Sequence, residues 1–233
     1  MFQLDYQENG RHTGQLRMNE SRWLSRLRAR PAVVSIYQAF AKDRKAVEDF
    51  IIGIYADAYG AQIGVHYPVL MSVRDEDGNI LSAVGFRYAT DEPLFLEQYL
   101  KQPVENVLNA PRSGIVEIGN LASNGGGASL FLFAALSTYL YHKGQDHAVV
   151  TGTKFLDKRF HELGLRPQKL APADPGLLLQ KDENWGSYYD TDPHVMAGRI
   201  DEGYKRLQKV LGAEYTEEHP QLLTRLHYRG PKI

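Results

Sequence analysis

The chain has 233 residues, of which 43% are hydrophobic and 24% are charged, and its formal net charge is -1. This composition excludes a wholly disordered chain, and the near-neutral charge argues against a dedicated nucleic-acid-binding protein, which usually carries a basic excess. Because the chain has no cysteine, disulfides, thiolate metal sites and cysteine nucleophiles are excluded.

Several functional classes lack their usual sequence signals. The N-terminus is polar, unlike a secretory signal, and the longest apolar run, Leu130–Leu136, is far shorter than the roughly 20 residues of a membrane-spanning helix. We therefore expect a cytoplasmic protein without a membrane span. The histidines show no metal-ligand spacing and no Gly-x-Ser-x-Gly motif occurs, so we expect neither a metal site nor a serine hydrolase.

The first third of the chain alternates between irregular and patterned segments. Residues 1–18 are interpreted as an irregular lead-in. Asn19–Arg30 is predicted to form a short helix, capped by its first residue and stopped by the proline that follows. Ala32–Tyr37 is β-branched and apolar, which predicts a strand. The next segment has apolar residues at helical spacing, with Asp43 placed to cap its start and Gly60 to end it.

The middle of the chain predicts a hairpin and then alternating elements. Val69–Arg74 and Ile80–Tyr88 flank a turn rich in Asp, Gly and Asn, which predicts two antiparallel strands. The later predicted elements are a helix at Pro93–Leu100, a strand at Gly114–Ile118, a helix at Ser129–His142, a strand at His147–Gly152, a helix at Lys154–Leu163, a strand at Gln168–Leu170, an irregular segment at 172–195 and a helix at Asp201–Leu211.

This order of elements predicts an α/β or α+β fold, in which helices pack on the faces of a sheet. We interpret residues 1–30 as an N-terminal extension with a short basic helix and residues 31–172 as the core domain. Residues 173–233 hold too few apolar side chains for a core of their own, so we expect them to wrap the core domain.

A glycine loop between the strand at Gly114–Ile118 and the following helix is the strongest functional signal. Three successive glycines allow positive φ and free backbone N–H groups, which the helix N-terminus supplements, so a phosphate site is predicted. A flexible turn without a ligand is the alternative. The loop lacks the Gly-Lys-Ser/Thr ending of a P-loop and the Gly-x-Gly-x-x-Gly spacing. The candidate binding residues are Asn120, Leu121, Ala122, Ser123, Asn124, Gly125, Gly126, Gly127 and Ala128.

The strand, glycine loop, apolar helix, strand and helix resemble the core of the GNAT acyltransferases. In that family the loop reads Gln/Arg-x-x-Gly-x-Gly/Ala and holds the pyrophosphate of acyl-CoA. Gly126 and Ala128 match the last two positions, whereas Ser123 stands where Gln or Arg is usual, which leaves acyl carrier protein open as the donor. In a second GNAT signature, Phe160 stands where the family carries the tyrosine that protonates the leaving thiolate, and a phenyl ring cannot donate a proton.

The chain more closely resembles the thermostable hemolysin family, which is itself similar to GNAT enzymes and acyl-homoserine-lactone synthases. Ala83–Ala89, Leu94–Leu100 and Val116–Ala122 carry the resemblance. It implies a mixed, mostly antiparallel sheet flanked by helices, and an N-acyltransferase that moves a medium or long acyl group from acyl-CoA or acyl carrier protein to an amine. The family name also implies lysis, so a membrane-active protein and a non-catalytic thioester-binding relative are alternatives.

Three charged residues are candidates for catalysis. Strand alternation places Glu117 on the opposite face from Val116 and Ile118. The resemblance to the homoserine-lactone synthases implies that Glu117 accepts a proton from the amine. A glutamate that faces solvent is the alternative. A buried Arg87 would need an anion, either a substrate carboxylate or a structural partner such as Glu97 or Glu117. Glu97 is the third candidate, although its aromatic surroundings are more typical of a structural residue.

A basic stripe on the predicted N-terminal helix is a candidate docking surface. Arg22, Arg26 and Arg30 recur at intervals of four, which places them on one helical face. That face is predicted to dock an acidic acyl carrier protein or an anionic lipid surface. An ordinary solvated face is the alternative.

Overall fold

A computed structural model describes residues 1–19, 24–179 and 183–217. Within these ranges, ten strands form one sheet and five α-helices pack against it. The strands are β1 Phe2–Glu8, β2 Arg11–Met18, β3 Val33–Tyr37, β4 Val69–Arg74, β5 Ile80–Tyr88, β6 Ile115–Ser123, β7 His147–Gly152, β8 Gln168–Pro172, β9 His194–Arg199 and β10 Glu214–Glu217. The helices are α1 Arg44–Tyr59, α2 Val104–Leu108, α3 Ala128–His142, α4 Lys154–Glu162 and α5 Ile200–Leu211.

The sheet is mixed and mostly antiparallel, as predicted. Its strand order is β10-β2-β1-β3-β4-β5-β6-β7-β9-β8. Among the ten described strands, β1 with β3 and β6 with β7 pair in parallel, and the other neighbours are antiparallel. The predicted hairpin of β4 and β5 is confirmed with the same bounds.

The two faces of the central strands bury different clusters, because alternate residues point to opposite sides. On one face, α3 and α5 cover Val84, Phe86 and Val116. On the other, the apolar side of α1 covers Leu70 and Ala83. Helix α3 is buried nearly all round, as its uniformly apolar sequence predicts. No helix in the described ranges is long and apolar enough to cross a membrane.

The irregular lead-in expected for residues 1–18 is wrong, because these residues form the β1–β2 hairpin. Its turn is made by Asn9 and Gly10, both with positive φ, which suits a tight hairpin. Tyr6 and Leu16 alternate inward and are fully buried. The Tyr6 hydroxyl donates to the carbonyl of Ala135 in α3 at 2.9 Å, so the hairpin is anchored to the core.

The helix expected at Asn19–Arg30 is not formed in its described part, which contains only a 3-10 turn at Leu24–Arg26. The backbone N–H groups of Arg28 and Ala29 instead donate to the carbonyl of Gly126, at 3.0 and 3.1 Å. This segment therefore bonds to the glycine loop rather than to a helical turn. Residues 20–23 lie outside the described part.

The segment expected to be irregular up to residue 195 leads into strand β9, which the sequence interpretation missed. This strand lies between β7 and β8 and pairs with both in antiparallel fashion. The helix predicted at Asp201–Leu211 is confirmed as α5. Part of the chain after residue 173 thus adds strands to the sheet beside the predicted core.

Candidate active site

The central feature of the site is a split between β6 and β7. The two strands pair only from Ile115 opposite His147 to Ile118 opposite Val150. Beyond that point β6 continues along β5, and β7 continues along β9. The parallel strands therefore separate, and the β7-facing edge of β6 has no ladder partner there in the described residues.

A β-bulge lies on β6 just beyond the start of the split. Gly119 pairs with Gly85 and Ala122 with Ala83, so Asn120 and Leu121 together oppose one residue of β5. Asn120 is buried and has a φ of 50°. A bulge bends the strand and re-aims its backbone groups. The predicted binding residues Asn120, Leu121, Ala122 and Ser123 thus belong to this bulged end of β6 rather than to the glycine loop.

The glycine loop has the conformation that its sequence predicts. Gly125, Gly126 and Gly127 have φ values of 78°, 63° and 91°, a region that residues with a side chain rarely adopt. The N–H groups of Gly126, Gly127 and Ser129 donate to no acceptor in the described residues. These free donors at the start of α3, whose first residue is Ala128, are suited to an anion.

Two polar residues beside the loop support its shape. The Ser123 hydroxyl accepts a hydrogen bond from the N–H of Gly125 at 3.2 Å. Asn124 does not cap α3, because Gly127 occupies the N-cap and the Asn124 amide donates to the Ile80 carbonyl at 3.3 Å. Asn124 therefore ties the loop to β5.

Glu117 lies on β6 before the split and is only 1% exposed. Its Oε1 accepts from the N–H of Leu96 and its Oε2 from the N–H of Phe95, each at 2.9 Å. Burial raises the pKa of this carboxyl to about 7, although Arg87 and the two backbone donors oppose the rise. A carboxyl with that pKa exchanges a proton near neutral pH. The alternative of a solvent-facing glutamate is therefore wrong.

Arg87 lies directly opposite Glu117 on β5. Its Nη1 is 3.3 Å from a carboxylate oxygen of Glu92, its Nη2 donates to the carbonyl of His66 at 3.2 Å, and its guanidinium lies 4.6 Å from the centre of the Tyr67 ring. Its Nε is 3.4 Å from Oε2 of Glu117, but the pair is not aligned as a hydrogen bond. That buried Nε has no hydrogen-bond acceptor in the described residues.

Glu97 is held by a different arginine. Arg112 forms a two-pronged contact with it, at 2.7 Å from Nη1 to Oε1 and 3.1 Å from Nη2 to Oε2. Its carboxylate also accepts from the N–H groups of Leu94 and Val104. Although partial burial opposes the shift, these hydrogen bonds hold the pKa of Glu97 below its usual value. These contacts indicate that Glu97 stabilises the segment that carries Phe95. That segment forms a 3-10 helix instead of the expected Pro93–Leu100 helix.

A small cavity of about 50 Å³ opens on the α1 face of the split. Arg87, Ile118 and Asn120 line it, together with Thr151 and the aromatic cluster Trp185–Tyr189. Thr151 and this aromatic cluster are not among the site residues predicted from the sequence. The run Trp-Gly-Ser-Tyr-Tyr, inside a segment otherwise rich in Pro, Gly and Asp, was a signal that could have found the cluster.

A larger apolar cavity of about 290 Å³ lies on the opposite face, enclosed by α3, α4, α5 and strands β6, β7 and β9. Ile118, the last residue of β6 that pairs with β7, lines both cavities, so the two cavities lie on either face of the sheet at the start of the split. Phe160 belongs to the wall of the large cavity and packs on Phe133, with ring centres 5.4 Å apart. The position where GNAT enzymes carry a tyrosine therefore faces an apolar space.

The predicted basic stripe is only partly described. Arg22 lies outside the described residues, whereas Arg26 and Arg30 are exposed. The Arg30 guanidinium donates to the backbone carbonyls of Ser25, Leu27 and Ala29. It therefore supports its own segment, and the predicted helical face is not formed there.

Comparisons with known proteins agree with this geometry. The profile of the thermostable hemolysin family matches residues 37–204, whereas no curated protein sequence matches the chain. Among solved structures, TofI in an apo form has a TM-score of 0.56 at 13% identity, covering 75% of this chain and 95% of TofI.

Two further structures share the fold. BjaI, a CoA-dependent acyl-homoserine lactone synthase with SAM and isopentyl-CoA, has a TM-score of 0.54 at 15% identity, covering 77% of this chain and 89% of its own. FeeM, an N-acyl amino acid synthase from uncultured soil microbes, has a TM-score of 0.53 at 14% identity, covering 75% of this chain and 98% of its own. The chain thus belongs to the thermostable hemolysin family and has the GNAT-like fold of the acyl-homoserine-lactone synthases.

Proposed function

We propose that this protein is an N-acyltransferase that moves a medium or long acyl group from an acyl thioester to an amine. The observation that carries the proposal is the split between β6 and β7, because Ile118 lines an apolar cavity on one face and a polar, aromatic cavity on the other. A thioester and an amine that enter from opposite faces would meet at this split.

The glycine loop is proposed to hold the phosphate groups of the donor, through the free N–H groups of Gly126, Gly127 and Ser129. Arg28 is exposed beside the loop, and a Cβ added at Gly126 would lie 3.2 Å from its Cβ. Its guanidinium is proposed to supply the positive charge that Ser123 lacks. Both CoA and the phosphopantetheine of acyl carrier protein carry such phosphates. Arg26 remains a proposed docking residue for acyl carrier protein.

The large apolar cavity is proposed to take the acyl chain. At about 10–15 Å³ for each water-sized group, its 290 Å³ has room for roughly twenty to thirty such groups. That space exceeds what an acetyl group needs and suits a chain of about eight carbons or more. Each buried methylene would contribute about 0.8 kcal/mol to binding.

The proposed reaction begins when the amine nitrogen attacks the thioester carbon. The resulting oxyanion accepts hydrogen bonds from backbone N–H groups of the bulge at Asn120–Ala122. When the tetrahedral intermediate collapses, the C–S bond breaks, the thiolate leaves, and the amide remains. The proton lost by the amine passes to Glu117, through one water because this carboxyl does not line the small cavity. Arg87 contacts Glu117 and lines that cavity, and we assign it the role of positioning the carboxylate.

The neighbouring structures support this class of reaction, since BjaI and FeeM are an acyl-homoserine lactone synthase and an N-acyl amino acid synthase. The test incubates the pure protein with acyl-CoA or acyl carrier protein of graded chain length and a pool of amines. We expect an N-acyl product by mass spectrometry and one equivalent of free thiol. No product with any donor, together with no thermal shift by CoA or carrier protein, would refute the proposal.

The same preparation tests the two alternatives. Donor binding without turnover would favour a non-catalytic relative. Rapid dye release from liposomes by pure protein without any donor would favour the lytic activity that the family name implies.

A further inference from the structure

We propose that His66 and Glu183 form a catalytic pair at the small cavity, and that His66 takes one proton from the acceptor before the amine attacks. This inference rests on the proposed acyl transfer and adds a second proton acceptor to it. His66 is assigned as a catalytic base, and Glu183 as the residue that positions it.

The proposed reaction has to remove two protons from an ordinary acceptor amine. Near pH 7 an alkyl amine is an ammonium ion, because its pKa is about 10, as in lysine. One proton has to leave before the nitrogen has a lone pair for the thioester carbon. A second leaves when the tetrahedral intermediate becomes the amide. Glu117 is proposed to take the second proton, so the first needs another base.

The pair has the geometry of a histidine base oriented by a carboxylate. His66 and Glu183 both line the small cavity, and Nε2 of His66 lies 2.7 Å from Oε1 of Glu183. When Nε2–H donates to this carboxylate, the neutral imidazole keeps the lone pair of Nδ1 for a proton. The side chain of His66 is 58% exposed, so a proton that it takes can pass on to water.

The backbone builds this pair from two distant segments. Gln62 and Asn184 form an antiparallel bridge, in which each N–H donates to the other's carbonyl, at 2.6 and 3.2 Å. Oε1 of Glu183 also accepts from the N–H of Gly64 at 2.8 Å. A Cβ added at Gly64 would lie 2.7 Å from Nε2 of His66 and 3.1 Å from Oε1 of Glu183. The absence of a side chain at this position therefore leaves room for the pair.

The charges near the pair suit an ammonium ion. Arg87 donates through Nη2 to the carbonyl of His66 at 3.2 Å, but its own charge is met by Glu92 and Glu117. Glu183 contacts no lysine or arginine in the described residues, so its carboxylate is available to a cationic acceptor. The other titratable groups that line the cavity are phenols whose pKa burial raises, namely Tyr55, Tyr67, Tyr188 and Tyr189.

In the proposed step an N–H bond of the ammonium ion breaks, and the proton moves to Nδ1 of His66. The Glu183 carboxylate stabilises the imidazolium, which then returns the proton to water. The neutral amine attacks the thioester, and the second proton passes to Glu117 as the thiolate leaves. An acceptor that is already neutral skips the first transfer, so the choice of acceptor separates the two bases.

The first experiment compares two acceptors at pH 7. One is the amine of the pool that gives product, and the other is methoxyamine, which stays neutral. His66→Gln keeps a donor for Glu183 but cannot take the proton. We expect it to lower kcat/KM for the ammonium acceptor at least about tenfold and to leave that for methoxyamine unchanged. Equal effects on both acceptors would overturn the inference, whereas no product from any amine would refute the proposed function itself.

His161→Gln is the matched control. His161 is also exposed, and its Nδ1 lies 3.2 Å from a carboxylate oxygen of Asp157, but it does not line the small cavity. Both acceptors should react with this variant as they do with wild type. A loss like that of His66→Gln would show that the effect does not arise in the small cavity.

Glu183→Gln tests the positioning role. Its amide oxygen can still accept from the N–H of Gly64, but the negative charge is lost. We expect a lower kcat/KM for the ammonium acceptor alone. The double variant with His66→Gln should lose no more than His66→Gln by itself, because residues that act as a unit are not additive. Losses that multiply would contradict the pair.

Chemical rescue distinguishes a base from a structural residue. Added imidazole should restore the reaction of the ammonium acceptor in His66→Ala and leave wild type unchanged. 1-Methylimidazole has no N–H to donate to Glu183, so it should restore less. No rescue by imidazole in a variant that circular dichroism shows to be folded would count against His66 as the base.

Discussion

The buried Glu117 carboxyl makes the folding stability of this protein fall as the pH rises through the neutral range. Burial raises its pKa from 4.5 to about 7. A carboxyl whose pKa is higher in the folded state binds more protons there, so its contribution is fully present below pH 4.5 and lost as the pH approaches 7. Glu117→Gln replaces it with an uncharged side chain of similar shape and should remove this dependence.

The magnitude follows from the pKa difference. A rise of the pKa from 4.5 to about 7 corresponds to about 3 kcal/mol. Most of this stabilisation is lost between pH 5 and pH 8. The substitution also loses one backbone acceptor, since an amide oxygen can serve only one of the N–H groups of Phe95 and Leu96. That loss is the same at every pH, so only the change with pH reports the titration.

Urea unfolding of wild type and Glu117→Gln at pH 5, 6, 7 and 8 measures the difference directly. The free energy of unfolding of the variant, relative to wild type, should rise by about 2–3 kcal/mol from pH 5 to pH 8. Glu97→Gln is the control, because the pKa of Glu97 lies below its usual value, and its curve relative to wild type should be flat over this range. A flat difference for Glu117→Gln would refute the raised pKa and, with it, the proposed proton acceptor.

Three further predictions concern the reaction. With an acceptor that stays neutral, such as methoxyamine, kcat/KM should fall about tenfold from pH 8 to pH 6, and Glu117→Gln should abolish this dependence. Gly127→Ala places a Cβ 2.7 Å from Leu27 at a φ of +91°, and it should raise the KM for the donor at least about tenfold. Gly144→Ala is the control, because it is also strained but lies in open space at the other end of α3. It should change thermal stability alone. Across the acyl chains that fit the large cavity, kcat/KM should rise about fourfold per methylene. Ala148→Phe in the cavity wall should move the preferred acyl length to shorter chains. An unchanged preference would show that the acyl chain binds outside this cavity.

Local patterns in the sequence determined most of the elements around the site. Apolar and turn residues predicted the β4–β5 hairpin with its bounds, and uniform apolarity predicted the burial of α3. Strand alternation placed Glu117 on the face opposite Val116. Successive glycines between a strand and a helix predicted the positive φ values of the loop. Each of these features depends on neighbours within a few residues, so the sequence alone carries the information.

Only the tertiary structure decided which distant groups meet. Glu117 is bonded to the backbone of Phe95 and Leu96, Arg28 lies beside the glycine loop, and Thr151 and Trp185 share a cavity with Arg87. The N-terminal hairpin was missed because a short strand that needs distant partners has a weak local signal. Strand order and the split between β6 and β7 arise from long-range pairing, which residue spacing does not encode.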